Sequence, residues 1–181
     1  VEVWFREGSV EKKVPFDSDG LPIETAPLQP GELRVYRLPK RDVNGTIQAP
    51  LAYRVTATAP IIAYQFNPLE NENVFSNDAS LLLPATLLGQ EYIVMTREQT
   101  FDVLRSFLTV AAVLPGETTV SVQVSAPTMV GAIDPGAPHE EEIPHMEAGE
   151  TRVFHLEQYD VLNIETDRPG ADLTGSVILS D

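Results

Sequence analysis

Two phrases of fourteen residues, far apart in the chain, read almost alike. The first is PGELRVYRLPKRDV at residues 30–43, and the second is AGETRVFHLEQYDV at residues 148–161. Seven of the fourteen positions are identical, where average residue usage predicts roughly one. Two further pairs of segments match in the same order at nearly the same spacing: 1–5 with 120–124, and 52–57 with 174–179. These matches predict a repeat of about 119 residues, present once in full and once in half.

The repeat suggests how the chain is divided. We expect a first complete β module at residues 1–119 and half of a second module, packed on the first, at residues 120–181. Repeated β modules expose sheet edges that a neighbouring module can cover. The half module therefore predicts an open repeat edge, which self-association or a neighbouring domain would cover.

The fold class follows from hydrophobic periodicity. Apolar and polar residues alternate with a period of two along much of the chain, and fifteen prolines are spread too evenly for long helices. Many short strands at regular spacing predict an all-β protein, most simply a β-sandwich built on the repeated module. A propeller-like or barrel arrangement is the alternative.

Local signals predict particular connections. Asn44-Gly45 is the strongest hairpin signal, and it would join the first repeated strand to the next one. Residues 106–114 and 118–126 are expected to form a second hairpin across Pro115-Gly116. Residues 96–105 are the stretch best suited to one short helix.

Composition excludes several classes of function. The net charge of −15 and pI near 4.4 argue against binding nucleic acid or an anionic membrane surface, because both need clustered Lys and Arg. Cysteine is absent, which removes disulfides and thiolate-ligated zinc. No apolar run approaches the roughly 18 residues that a membrane span needs. The chain opens on VEVWF, so we expect a processed or excised piece of a protein.

An Asn-rich loop supplies oxygen ligands of the kind that calcium prefers. Its candidate ligands are Glu70, Asn73, Asn77 and Asp78. The loop lacks the spacing of an EF-hand, including the central glycine and the terminal glutamate. We therefore expect Asx-turns that fix the loop, with calcium as the cation for any site there.

A second candidate metal cluster combines histidine with carboxylates. His139 and His145 flank the acidic residues 140–142. The histidines are six residues apart and Pro144 interrupts the segment, so they do not match the helical i, i+4 pattern of a zinc protease. A solvated acidic loop is the expected structure.

No catalytic constellation is apparent. The chain has no G-x-S-x-G nucleophile motif, no Gly-rich phosphate loop and three histidines in all. We therefore predict a protein that is not an enzyme and uses no cofactor. The repeated pairs Arg34/Arg152 and Asp42/Asp160 are interpreted as structural.

The aromatic residues have two interpretations. Trp4, Tyr64 and Phe66 would form a sugar-binding platform if they were exposed. Core packing is the commoner position of aromatic side chains in alternating strands, and we expect it for these three.

Two long passages resemble a known family. They are VTATAPIIAYQFNPLENENVFSNDASLLLPATLLGQEYIVM, which contains the phrase SNDASLLLP, and EAGETRVFHLEQYDVLNIETDRPGADLTGSVILSD, which ends in DLTGSVILSD. Both are similar to the IgGFc-binding domain family, and the resemblance covers most of residues 30–181. It implies a bacterial-type member that is secreted or displayed at the cell surface, and it carries over no catalytic residues. The Fc ligand in the family's name does not transfer with it.

The leading hypothesis is a non-catalytic binding, adhesion or scaffolding module that contacts proteins or glycans at the cell surface. One alternative is a carbohydrate-active or metal-dependent enzyme domain, which would show convergent carboxylates or an ordered metal. Another is a structural subunit of a surface assembly, which would self-associate.

Overall fold

A computed structural model describes residues 1–67, 78–135 and 141–181. Strands dominate these residues, and a single 3-10 turn, Ala85–Leu87, is the one helical element among them. The strands are β1 (Glu2–Glu7), β2 (Val10–Lys13), β3 (Ile47–Ala49), β4 (Arg54–Thr56), β5 (Tyr64–Asn67), β6 (Asp78–Leu81), β7 (Glu91–Ile93), β8 (Phe107–Ala111), β9 (Glu117–Gln123), β10 (Gly131–Ile133), β11 (Glu141–Ile143), β12 (Thr151–Glu157), β13 (Val161–Glu165) and β14 (Val177–Ser180).

The core lies between two large sheets. A five-stranded sheet has the order β11-β10-β3-β13-β8, and a four-stranded sheet has the order β12-β9-β14-β7. Alternate residues of β9 and β13 point between the sheets, where Val120, Val122, Leu162 and Ile164 are at most 1% exposed. The all-β sandwich predicted from the sequence is confirmed, and none of the sheets in the described residues closes into a barrel.

Two smaller sheets complete the described structure. The order β2-β1-β4 forms a three-stranded sheet, and β5 and β6 pair as an isolated antiparallel hairpin. The three-stranded sheet is attached to the sandwich by polar contacts: the Arg6 guanidinium pairs with Asp160, and the Ala52 N–H donates to the Tyr159 carbonyl at 3.0 Å.

Strands from both sides of residue 119 share the two large sheets. β3 lies between β10 and β13, β8 pairs with β13, and β7 pairs with β14. Gly131 allows the parallel approach of β10 to β3, because a Cβ there would lie 2.0 Å from the Thr46 carbonyl oxygen. The division into a module at 1–119 and a half module at 120–181 stays a prediction.

The second repeated phrase forms the predicted strand, and the first does not. Residues 151–157 are β12, whereas residues 32–44 contain no strand ladder. Exposure still alternates in the first copy, where positions 34, 36 and 38 are less exposed than their neighbours. The reason is tertiary: β2 occupies the edge of β1, while β12 occupies the corresponding edge of β9.

Three local predictions were wrong. β8 and β9 are not a hairpin, because Pro115-Gly116 carries the chain from one large sheet to the other. The Asn44-Gly45 turn leads into β3, which pairs with β10 and β13. That turn is held by distant residues, since Asn163 donates to the Gly45 carbonyl at 2.8 Å. Residues 96–105 form turns and an isolated bridge, with no helix.

Candidate binding surface

The β5–β6 hairpin exposes one apolar face. Tyr64 and Phe66 lie on the same side of β5 because side chains alternate along a strand, and their cross-strand partners are Leu81 and Ala79. The polar residues of the hairpin, Gln65, Asn67, Asp78 and Ser80, occupy the opposite side. We call the set Tyr64, Phe66, Ala79 and Leu81 the apolar hairpin face.

The large side chains of this face are open to solvent. Tyr64 is 59% exposed, Phe66 51% and Leu81 53%. Within the described residues, no strand outside the hairpin pairs with β5 or β6. The sequence predicted core packing for Tyr64 and Phe66, and the structure corrects that: in the described residues β5 and β6 pair only with each other, and neither side chain belongs to the buried core of the sandwich.

Further exposed apolar side chains lie on both sides of the hairpin in the sequence. They are Ile61, Ile62, Leu82, Leu83, Leu87, Leu88, Tyr92, Ile93 and Met95. Single exposed apolar residues are ordinary, whereas side chains that lie together on one face, as the ladder places those of the apolar hairpin face, mark an interaction surface. An aromatic and leucine face of this composition suits contact with an apolar patch of another protein.

Trp4 is not part of such a surface. Its indole N–H donates to the Thr56 hydroxyl at 3.1 Å, and the Lys13 ammonium lies 4.9 Å from its ring centroid. The Arg54 guanidinium lies 5.7 Å from the same centroid. The ring is half-buried in intramolecular contacts, so it does not form the sugar platform considered from the sequence.

The candidate calcium ligands are only partly described. Asp78 is the first residue of β6 and pairs with Asn67 in the ladder. Glu70, Asn73 and Asn77 lie outside the described residues, so calcium binding at this loop stays a prediction. Among the described residues, no group of three or more His, Asp or Glu side chains is arranged to hold a metal ion.

His145 is held by intramolecular hydrogen bonds, whereas His139 lies outside the described residues. The His145 Nδ1 lies 2.6 Å from the Thr128 carbonyl oxygen, and its Nε2 lies 3.2 Å from a Glu147 carboxylate oxygen. The hydrogen bond with Glu147 is the main cause that raises the pKa of His145, and the Thr128 carbonyl adds to it. Both ring nitrogens are therefore engaged within the chain.

The contact between the three-stranded sheet and the sandwich uses a buried tyrosine and two more exposed charged residues, none of which sequence reasoning singled out. The Tyr159 hydroxyl donates to Glu11 and accepts from Arg54 Nε at 3.0 Å. Burial raises the pKa of Tyr159, and the hydrogen bond from Tyr159 lowers the pKa of Glu11. Tyr159 is marked in the structure by its positive φ of 79°, which is rare for a residue other than glycine. The sequence carries no sign of this backbone conformation.

In the second copy, the Asp of the repeated Asp pair is held by intramolecular contacts. Asp160 is 5% exposed, and its carboxylate accepts the Glu157 N–H at 2.8 Å as well as the Arg6 guanidinium. Burial raises the pKa of Asp160, while these two contacts oppose the shift. Asp42, its counterpart in the first copy, is exposed, so the repeat does not build two identical sites.

Comparison with known protein families shows which family the chain belongs to. The family described as IgGFc binding protein matches residues 78–181, which is more than half of the chain. The chain belongs to the IgGFc-binding family. No curated protein and no solved structure gives a significant match.

Domains of the IgGFc-binding family are binding modules and are not known as enzymes. They are typically extracellular. The matched region begins at Asp78, so it contains β6 and the sandwich strands β7 to β14, while Tyr64 and Phe66 precede it. No helix in the described ranges is long and apolar enough to cross a bilayer.

Proposed function

We propose that this IgGFc-binding family member is a non-catalytic module, secreted or displayed at a cell surface, that binds protein through the apolar hairpin face. The single observation behind the proposal is the exposure of Tyr64, Phe66 and Leu81 together on one side of an isolated hairpin. Aromatic side chains are the residues that contribute most binding energy at protein interfaces.

Protein is the preferred ligand class because of what the face lacks. Sugar binding combines an aromatic platform with hydrogen-bond groups for hydroxyls, and the hairpin's amides and carboxylate lie on its other side. Apart from the Tyr64 hydroxyl, the face offers apolar surface only. The net charge of −15 further favours a partner with a neutral or basic contact surface.

The test compares variants of the two sides of one hairpin. The probes are the immunoglobulin Fc fragment, which the family's description names, and a panel of purified extracellular glycoproteins before and after glycan removal. We expect Phe66→Ser to weaken binding to a panel protein by ~30-fold, as expected of an interface hot spot. The matched control, Gln65→Ala on the polar side, should bind like the wild type.

The outcomes separate the ligand classes. Binding that persists after glycan removal supports a protein ligand, and binding that disappears with the glycan contradicts it. Equal loss in Phe66→Ser and Gln65→Ala would contradict the assignment to the apolar hairpin face. Because Phe66 is half exposed and outside the core, thermal unfolding of both variants should match the wild type.

A further inference from the structure

The turn that opens each repeated phrase has the same hydrogen bonds in both copies. In the first, the Glu32 N–H donates to the Gln29 carbonyl at 3.0 Å, and the Glu32 carboxylate accepts the Gln29 N–H at 2.8 Å. In the second, Glu150 and Glu147 make the same two bonds at 3.0 Å each. The glycine inside each turn has a positive φ, 81° at Gly31 and 86° at Gly149. The sequence repeat is therefore accompanied by repeated local geometry.

A pair of strands also corresponds between the copies. β1 pairs with β4 and β9 pairs with β14, both antiparallel. Val3 lies opposite Val55 in the first pair, and Val122 lies opposite Ile178 in the second. Val3 and Val122 are 4% and 0% exposed, so both face the interior. The two ladders therefore make Val55 the structural counterpart of Ile178. The sequence alignment of 52–57 with 174–179 pairs Val55 with Val177, so the structural correspondence is shifted by one residue.

The backbone N–H and C=O groups of Val55 point away from β1. The Val14 N–H donates to the Val3 carbonyl at 2.9 Å, so the hydrogen-bonding groups of Val3 point toward β2 and away from β4. In an antiparallel pair, opposite residues either both bond across the pair or both point outward. The N–H and C=O of Val55 therefore point to the side of β4 that has no ladder partner among the described residues.

The corresponding edge of β14 is covered. Val94 donates to the Ser176 carbonyl at 2.9 Å and Ser180 donates to the Gln90 carbonyl at 2.8 Å, on either side of the Ile178–Tyr92 pair. The strand that covers it is β7. In the described residues, β4 has β1 as its sole ladder partner. Val55 is 39% exposed, whereas Ile178 is 7% exposed.

We propose that the open edge of β4 accepts, in trans, an extended antiparallel segment of the β7 type, supplied by another module of the same kind. Val55 then lies opposite the residue that corresponds to Tyr92, as Ile178 does within the chain. Strand addition of this kind draws affinity from backbone hydrogen bonds and specificity from alternate side chains. The surface is separate from the apolar hairpin face, and the inference does not depend on the proposed function.

A donated strand is favoured over edge-to-edge pairing of two whole copies by charge. Each chain carries a net charge of −15, which opposes the approach of two like-charged molecules. A segment with the sequence LGQEYIVMT, residues 88–96, carries one carboxylate, from Glu91. Its residues 91–93 are also the ones that pair with the edge of β14 within the chain, and their side chains alternate between the two faces of the sheet.

The experiment uses that peptide, acetylated, amidated and fluorescently labelled, in an anisotropy titration against the whole 181-residue chain. We expect saturable binding by the wild type and at least about tenfold weaker binding by Val55→Pro. Proline removes the outward N–H at an edge position that tolerates it, so the sheet itself should still form. Circular dichroism of the variant checks this.

Modified peptides test the same bond without changing the protein. An N-methyl group on the peptide residue equivalent to Tyr92 blocks its hydrogen bond to Val55, and we expect a loss like that of Val55→Pro. An N-methyl group on the residue equivalent to Ile93 points away from the edge and is the matched control. Equal binding of both peptides overturns the proposal, because the orientation of the backbone would then not matter.

The remaining outcomes are also decisive. Absence of peptide binding at about 1 mM, or unchanged binding by Val55→Pro, overturns the proposal; the second result would place the peptide at another edge, such as that of β12. The donor is not a second copy of the folded chain, because β7 of such a copy is already paired with β14, so a dimer in sedimentation that Val55→Pro dissolves would also overturn the proposal. Phe66→Ser should leave peptide binding unchanged, which separates this test from that of the proposed function.

Discussion

Replacement of Arg6 by alanine is expected to destabilise the fold more than any change to a surface ion pair. The Arg6 guanidinium contacts the Asp160 carboxylate and donates to the Gln158 carbonyl at 3.0 Å. The two side chains are 15% and 7% exposed. Removing one partner of a buried pair costs about 3–5 kcal/mol, because the remaining charge is buried without compensation. We expect about 3 kcal/mol, at the lower end, since the Glu157 N–H still bonds to the carboxylate.

The loss should depend on pH in a defined direction. Burial raises the pKa of Asp160, so the folded chain binds this proton more readily than the unfolded chain, and stability falls as pH rises from about 4. Arg6 opposes that shift. Without Arg6, the pKa of Asp160 rises further, so the difference in free energy of unfolding between variant and wild type should be largest near pH 7 and should shrink toward pH 4.

Urea denaturation at both pH values measures this difference. Lys12→Ala is the matched control, because its pair with Glu7 is about half exposed on each side and should contribute nothing measurable. A loss below about 1 kcal/mol for Arg6→Ala, or a loss that is the same at both pH values, would refute the assignment of a buried, compensated charge at Asp160.

Two other predictions concern a close approach and a titrating group. Gly131→Ala should lower the free energy of unfolding by about 3 kcal/mol in a urea titration, because its Cβ would lie 2.0 Å from the Thr46 carbonyl oxygen. Gly89→Ala is the control and should be close to neutral, because the nearest atom to its Cβ lies at 4.0 Å. The raised pKa of His145, caused first by Glu147, stabilises the fold below about pH 6.5, and this stabilisation is lost as pH rises through the folded-state pKa. His145→Gln should therefore lower the melting temperature more at about pH 5.5 than at about pH 8.5, and an equal effect at both would contradict the assignment.

The strands nearest the C-terminus could be predicted because their pattern and their packing agree. Residues 151–157 alternate in polarity, and in β12 the alternate positions Phe154 and Leu156 are 5% and 0% exposed. The same pattern at residues 32–44 produced no ladder, because β2 takes the edge of β1 that such a strand would need. Alternation thus predicts an extended conformation, and pairing requires a free neighbour.

The predictions of which strands are connected as hairpins were wrong for a similar reason. Pro115-Gly116 and Asn44-Gly45 are turn signals, and the chain does turn at both. A turn signal describes a few residues, whereas the sheet that receives the next strand is chosen by burial of its side chains. Val120 and Val122 reach the core from the sheet opposite Leu108, which a hairpin between β8 and β9 would not allow.

For the candidate surface, too, some properties follow from the sequence and others only from the tertiary structure. The order of residues alone determined the all-β class, the acidic charge, the family and the composition of the β5–β6 hairpin, because each of these depends on residue type and short-range alternation. Only the tertiary structure decided that Tyr64 and Phe66 face solvent and that Asp160 is buried against Arg6. It also decided that, within the described residues, the outer edge of β4 has no ladder partner while that of β14 pairs with β7. Exposure and pairing depend on what lies opposite a strand, and in this protein those partners are distant in the sequence.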